Sequence, residues 1–432
     1  MRNLEVLIIS CILLLLPAIG LAANFYVDPV KGSYGGDGSP AQPWKSLQRL
    51  FDDDLIESRE WNSLPYTSGS SLVPKNPGAP ITAGDTIILR SGNYGELFIR
   101  SYYNAVPITI VAEQGNVPLF RNIVVRSSRN WNLAGLTVNA SAFQADGFST
   151  LISLESHNWT GPIDNVTVSN CNLFSIADSS GWSRTDWNSK TKNGIGVSGK
   201  NMKIAHNSLR NVNFGISVGA SHSVVEHNSI ENFAGDGLRG LGDYTTFEYN
   251  TVKNCYDVND NHDDGFQSWS VGGDGKVGTG VVRGIVLRGN TIINYEDPNQ
   301  PFRGTLQGIG CFDGMFADWI VERNTVRVDH WHGISLYGAI NTVIRDNVVT
   351  DPNGDANIGP PWIMLRAHKN NTPSRDCLVA CNVSPKLIVS DQPTITNYYN
   401  TLSETGGPRH SKCPALITIA PVILPILLER NN

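Results

Sequence analysis

Asn207-Ser-Leu-Arg-Asn211, Asn228-Ser-Ile-Glu-Asn232, Asn250-Thr-Val-Lys-Asn254 and Asn290-Thr-Ile-Ile-Asn294 are four copies of one frame, and looser copies start at Asn324 and Asn347. The leading asparagines 207, 228 and 250 lie 21 and 22 residues apart, 324 and 347 lie 23 apart, and the wider gaps hold inserted loops. A fixed period of this kind means one small unit repeated and stacked, so it ranks above any single motif. A period near 22 with alternating apolar residues suits one coil of a parallel β-solenoid. Asparagine returning at one place in each coil suits a side-chain ladder at a tight turn, where Asn tolerates the left-handed backbone and bonds the neighbours above and below.

A second element precedes each asparagine element. Its copies are Asn193-Gly-Ile-Gly-Val-Ser, Phe214-Gly-Ile-Ser-Val-Gly, Asp236-Gly-Leu-Arg-Gly-Leu, Asp264-Gly-Phe-Gln-Ser-Trp, Gln307-Gly-Ile-Gly-Cys-Phe and His332-Gly-Ile-Ser-Leu-Tyr, with a degenerate seventh at Pro361-Trp-Ile-Met-Leu-Arg. The third and fifth positions are mostly apolar and are expected to face the core, so the fourth and sixth point outward. Outward position six reads Leu241, Trp269, Phe312, Tyr337, Arg366, and the first position reads Asp236, Asp264, Gln307, His332. One wall therefore carries a stripe of flat rings beside a stripe of polar groups.

Composition agrees with an all-β chain. Charged residues are only 17% of the 432, against roughly 25% in an average domain, while Gly is abundant at 42, so turns and strands are favoured over helices. The net charge of -6 has the wrong sign for a phosphate backbone, and a nucleic-acid partner is not expected. Residues 1–23 read as a secretory signal peptide: Arg2, an apolar run from Val6 to Leu16, Pro17, then Gly20-Leu21-Ala22-Ala23. That run falls short of the roughly 20 residues of a spanning helix, so stable membrane insertion is not expected and the chain is placed outside the cytoplasm, secreted or periplasmic. Residues 24–65 are assigned to an N-terminal strand and capping helix, 66–385 to the solenoid and 386–432 to a C-terminal extension. The capping helix is read from Pro43-Trp-Lys-Ser-Leu-Gln-Arg-Leu-Phe51, apolar at 44, 47, 50 and 51. Residues 62–82 read as a loop, and Ala415 to Leu428, broken by Pro421 and Pro425, as a closing strand or a disordered end. A solenoid with closed ends is expected to be a monomer. Of the six cysteines beyond the leader, Cys377, Cys381 and Cys413 cluster and are the best source of a disulfide, while Cys255 and Cys311 read as small buried hydrophobes.

Phe25-Tyr-Val-Asp-Pro-Val-Lys-Gly-Ser, Asp37-Gly-Ser, Pro43-Trp-Lys-Ser-Leu, and Gly84-Asp-Thr-Ile-Ile-Leu-Arg with Gly92-Asn-Tyr carry a family likeness. On these segments the chain resembles the right-handed parallel β-helix superfamily of exported carbohydrate-active proteins, the pectate-lyase-like group. It covers about residues 24–385 and marks the fold more than the chemistry, since such folds host lyases, hydrolases and epimerases. The pair Asp236-Gly and Asp263-Asp264-Gly is similar to the calcium-binding aspartates of one pectate-lyase family, which implies Ca²⁺ as a cofactor. Where that family has a further acid this chain has Gln267, and its catalytic lysine falls near Arg303.

The columns define candidate chemistry without the family. Asp236 and Asp264 in adjacent coils should lie about 5 Å apart, close enough to share a proton or, with Asp263, a hard cation. Arg239 can hold a uronate carboxylate with its planar fork, next to Gln267. The base of a lyase is sought among Lys253, His262 and Arg303. His332, flanked by His330, is a further polar contact, and Trp269, Phe312 and Tyr337 are expected to stack on sugar rings. The expected activity is β-elimination on an acidic polysaccharide. The alternatives are a hydrolase using Asp236 with Asp264, or either with Asp313, and a solenoid that binds glycan without chemistry.

Overall fold

Two parallel sheets of 13 and 21 strands run the length of the protein, and successive coils supply strands to both. The computed structural model describes residues 22–143, 147–352, 359–390, 392–403 and 405–407. Most coils contribute one strand to the first sheet and two to the second, while the first coils contribute one to each. Val224–Glu226, Ser229–Phe233 and Leu238–Gly240 form one coil; Thr246–Glu248, Thr251–Cys255 and Asp264–Trp269 form the next. The register between them is parallel throughout: Val224 pairs with Thr246, Ser229 with Thr251 and Leu238 with Phe266. A chain wound in this way into a nearly closed tube is a parallel β-helix.

Period-2 alternation places the core where the repeat implies. Ile195, Ile216, Leu238, Phe266, Ile309, Ile334 and Ile363 form one inward column, each no more than 1% exposed. Burying such a side chain is worth about 1.5–3 kcal/mol, repeated at every rung. Gly240 interrupts the neighbouring column because the rings of Phe247 and Phe266 fill the space a side chain would need.

The asparagine ladder is present. Nδ2 of Asn207, Asn228, Asn250, Asn290, Asn324 and Asn347 each donates to Oδ1 of the next asparagine at 2.9–3.0 Å. The last of these reaches Asn382, which extends the ladder to Asn400. The left-handed backbone sits elsewhere than expected. It belongs to the residue before each ladder asparagine, such as His206, His227 and Tyr249, and to the trailing Asn211, Asn232 and Asn254. The ladder residues are chosen for buried hydrogen bonding, because a carboxamide offers two donors and an acceptor oxygen at once along the stack.

At the N-terminus the helix is shorter than the apolar spacing suggested, only Gln48–Asp52. Trp44 bridges to Val27 and Ser33 instead, its backbone N–H donating to Tyr26 O at 3.0 Å. Trp44, Leu47, Leu50 and Phe51 are nonetheless all buried. The segment expected as loop contains Leu72–Lys75, antiparallel to Ser58–Trp61. Both sheets continue past residue 385 through Ile395–Tyr398 and Thr401–Leu402. Cys381 is disulfide-bonded, and Cys377, Cys171, Cys255 and Cys311 are buried free thiols. Cys413, residues 415–428 and nearly all of the expected signal peptide lie outside the described residues. Among the described residues no helix is long and apolar enough to cross a membrane.

Candidate active site

Register brings the acidic column together. Arg239 pairs with Gln267, and the backbone N–H of Asp264 donates to Asp236 Oδ1 at 3.1 Å, so the two aspartates are neighbours across adjacent coils. Gln307 follows Asp264 in the next coil. The carboxylates form the floor of the site, being 2% and 0% exposed, and the groups above them face solvent. Asp236 Oδ2 accepts from Arg239 Nε at 2.5 Å. The guanidinium lies 3.6 Å from the centre of the Phe214 ring and 5.4 Å from that of Trp269, so it is fixed by rings as well as by charge. Asp264 Oδ2 accepts from Gln267 Nε2 at 2.9 Å and faces His262 Nδ1 at 3.2 Å. Its other oxygen is buried without a partner and packs over Gly310, where any Cβ would collide with it.

These surroundings set the charges. Burial pushes the Asp264 carboxyl up to about 8, and the neighbouring Asp236 carboxylate adds to the shift. Asp236 is raised by burial against the opposing pull of Arg239. Asp263 is pushed up to about 7 by burial. The hydrogen bond that His262 donates to the Asp264 carboxylate raises the imidazole, whereas burial lowers both His330 and His332 to about 4. His262 is thus the imidazole that both reaches solvent and is held by a carboxylate.

A groove of about 860 Å³ opens above this floor, lined among others by Arg239, His262, Gln267, Trp269, Phe312, His332 and Tyr337. Three of the rings are in contact: Phe312 lies 5.7 Å from Tyr337 and 4.7 Å from His332, edge to face. The register slips by one residue after Ser268, so Trp269 stands opposite Asp313 where even spacing placed Phe312. The three rings are half-buried, neither free in solvent nor part of the core.

Two candidate bases are not brought here. Lys253 belongs to the preceding strand stack, where its Nζ lies 2.8 Å from Glu296 and 3.5 Å from Glu231. Arg303 packs 4.7 Å from the centre of the Tyr295 ring and donates to Pro298 O at 2.7 Å, away from the groove. Nearness along the chain misled in both cases, because Lys253 sits in the strand column of the Asn250 frame and Arg303 in an inserted loop, both apart from the polar column. Asp263 faces the other way from Asp264, as alternation requires, with Oδ2 3.4 Å from Cys255 Sγ. The three acids therefore do not point at one centre, and among the described residues no three His, Cys, Asp or Glu side chains form a metal-binding group.

Two further groups line the groove. Phe214 holds the first position of its own coil, and comparing that column would have found it. Lys369 arrives on a turn with no periodic signal and places Nζ 2.7 Å from Asp313 Oδ1.

No family model and no curated protein matches the chain. Solved structures do. The A-module of an Azotobacter vinelandii mannuronan C-5 epimerase is 14% identical over 74% of this chain and 88% of its own, with a TM-score of 0.47. The A-module of a second such epimerase from the same organism is 12% identical over 74% and 86%, with a TM-score of 0.48. A mannuronic-acid-specific polysaccharide family 6 lyase from human gut microbiota is 14% identical over 74% and 82%, with a TM-score of 0.37. None of these scores reaches 0.5, and the fold stands on the strand pairing described above.

Proposed function

We propose that this chain is an exported polysaccharide lyase that breaks uronate-containing chains by β-elimination. The observation that carries the reading is the exposed His262 ring held through Nδ1 on the buried Asp264 carboxylate. That hydrogen bond orients the imidazole and leaves Nε2 for the substrate, the division of labour expected of a base and its positioning group. Nε2 removes the proton on the carbon next to the uronate carboxylate. The electron pair forms a C=C bond as the glycosidic oxygen leaves, and that oxygen takes up a proton.

The carboxylate must be neutralised for its α-proton to become acidic. Arg239 spends Nε on Asp236, and among the described residues its terminal nitrogens make no other hydrogen bond. Those two nitrogens suit a carboxylate fork. Lys369 stands by on the groove wall. Gln267 and the ring row place the sugar.

The hydrolase alternative is weaker because a general acid must touch the leaving oxygen, and Asp264 has no exposed surface. Calcium rests on the resemblance and on the spacing of the acidic column. Asp236 Oδ2 already accepts from Arg239 Nε and Asp263 faces Cys255, so the acids present do not fit such a site, and no step here uses the ion. Export rests on the composition of residues 1–23. We infer in addition that the coil winds right-handed, as parallel crossovers do, and that the Gln48–Asp52 helix covers the open N-terminal end.

The test is an ultraviolet assay for unsaturated uronate on alginate, pectate and glycosaminoglycans, with and without chelator. Product that forms in wild type and is lost in His262→Ala is expected. Absence of product from every acidic polysaccharide would end the proposal.

A further inference from the structure

The polar column does not stop at His332. Trp362 pairs with His332 in the next coil, and Lys386 pairs with Trp362 in the one after. Trp362 therefore stands three rungs from Asp264, roughly 14 Å at strand spacing. Above it lies Trp331, stacked face to face, with ring centres 5.9 Å apart and planes within 4°. Trp331 is 40% exposed, a large apolar ring shown to water at the end of a groove already lined with rings.

The platform is built rather than incidental. The backbone carbonyl of Trp331 accepts from the N–H of Trp362 at 2.8 Å and from that of Gly333 at 3.0 Å, so its backbone is fixed to the sheet. The indole N–H of Trp362 donates to Ser335 Oγ at 3.0 Å, which locks the lower ring. His332 joins the stack to the groove, with its ring 5.2 Å from Trp362 and 4.7 Å from Phe312. Cations accompany it. Lys386 Nζ lies 5.2 Å from the centre of the Trp362 ring, and the exposed Arg366 pairs with Tyr337.

We propose that Trp331, carried on Trp362, is a distal sugar-binding subsite at the C-terminal end of the groove. It takes the apolar face of a pyranose ring a few units from the bond that is cut, while Lys386 and Arg366 answer the carboxylates of the same acidic chain. A rigid exposed ring offers contact area with little ordering cost, and neighbouring cations select for a charged glycan. The subsite rests on the reading of the groove as the binding site for an acidic polysaccharide, and its role is in holding long chains.

The experiment separates binding from chemistry. Affinity electrophoresis of His262→Ala and of His262→Ala/Trp331→Ala through gels containing alginate, pectate or a glycosaminoglycan reads binding without turnover. In an otherwise wild-type chain, kcat/KM of Trp331→Ala is measured on long polymer and on the shortest oligomer cut. Loss of Trp331 is expected to weaken retention by the polymer about tenfold and to lower kcat/KM on polymer alone by a similar factor. Trp331→Phe should recover most of both, and Lys386→Ala should make retention less sensitive to salt. Equal retention with and without Trp331, in a protein that does bind and cut the polymer, would overturn the subsite while leaving the lyase reading intact. Retention by neutral glycans alone would overturn the acidic-chain reading and the role of Lys386 with it.

Discussion

His262 Nδ1 stands 3.2 Å from Asp264 Oδ2, so a largely exposed imidazole is anchored on a fully buried carboxylate. The contact raises the imidazole and ties two titrations together, so the acid limb of the rate profile belongs to the pair. A base must be deprotonated to act, so the rate rises with pH through that limb. Asp264→Asn removes the charge that raises His262, and the limb should move to lower pH while the plateau falls. His262→Ala should cost about 10²- to 10⁴-fold in kcat. The measurement is kcat/KM against pH for the three proteins. A limb that stays in place in Asp264→Asn would show that the imidazole is not the titrating base.

Gly310 lies in the coil after Asp264 and leaves room for the unpartnered carboxylate oxygen. Gly310→Ala puts a methyl group where that oxygen sits and should push the carboxylate away from His262. Activity should fall about tenfold or more, since small misplacements of a positioning group are costly. The circular dichroism spectrum should stay that of the wild type. Full activity in this variant would mean that the Asp264 contact is dispensable.

How far such a site can be read in advance depends on which of its residues are periodic. The Asn207 and Asp236 frames repeat once per coil, so the fold, the inward column, the aspartate pair and the ring row were legible as columns. Burial was not legible in the same way. Asp236 and Asp264 hold a turn position that alternation leaves undecided, and the structure turns them into the floor beneath His262. Lys253 was misplaced because its frame, Asn250 to Asn254, stacks in a strand column apart from the Asp236 frame, and Arg303 because it lies in an inserted loop, where no column constrains position. Lys369 was missed for the same reason from the other side, arriving on a turn that repeats nothing.

The ladder makes a prediction about stability. Asn250 Oδ1 accepts from the backbone N–H and Nδ2 of Asn228, while its own Nδ2 donates to Val225 O and Asn290 Oδ1. Asn250→Leu strands several buried groups at once and should cost about 3 kcal/mol or more. Asn400, half-buried at the last rung, should cost about 1 kcal/mol when changed to Ala. Urea unfolding of the two variants checks the order. Equal losses would mean that the ladder adds nothing beyond single hydrogen bonds.

Asp263 gives the last expectation, because its buried carboxyl sits near 7 in the folded chain and returns to about 3.9 on unfolding. A folded-state value above the unfolded one means that the folded chain binds the proton more tightly. The stability tied to Asp263 is therefore fully present below about 4 and is lost as pH rises through 7. His330 and His332, held near 4 by burial, act in the opposite sense below their ordinary value. They are common to wild type and Asp263→Asn, so they cancel in the difference. An asparagine has no charge to bury, and it can still accept from the Cys255 thiol. Any cost of its new amide donor is independent of pH. The stability of Asp263→Asn relative to wild type should therefore climb between pH 5 and pH 8, by on the order of a few kcal/mol. Urea midpoints at several pH values measure that slope, and a flat difference would show that Asp263 keeps its ordinary acidity in the fold.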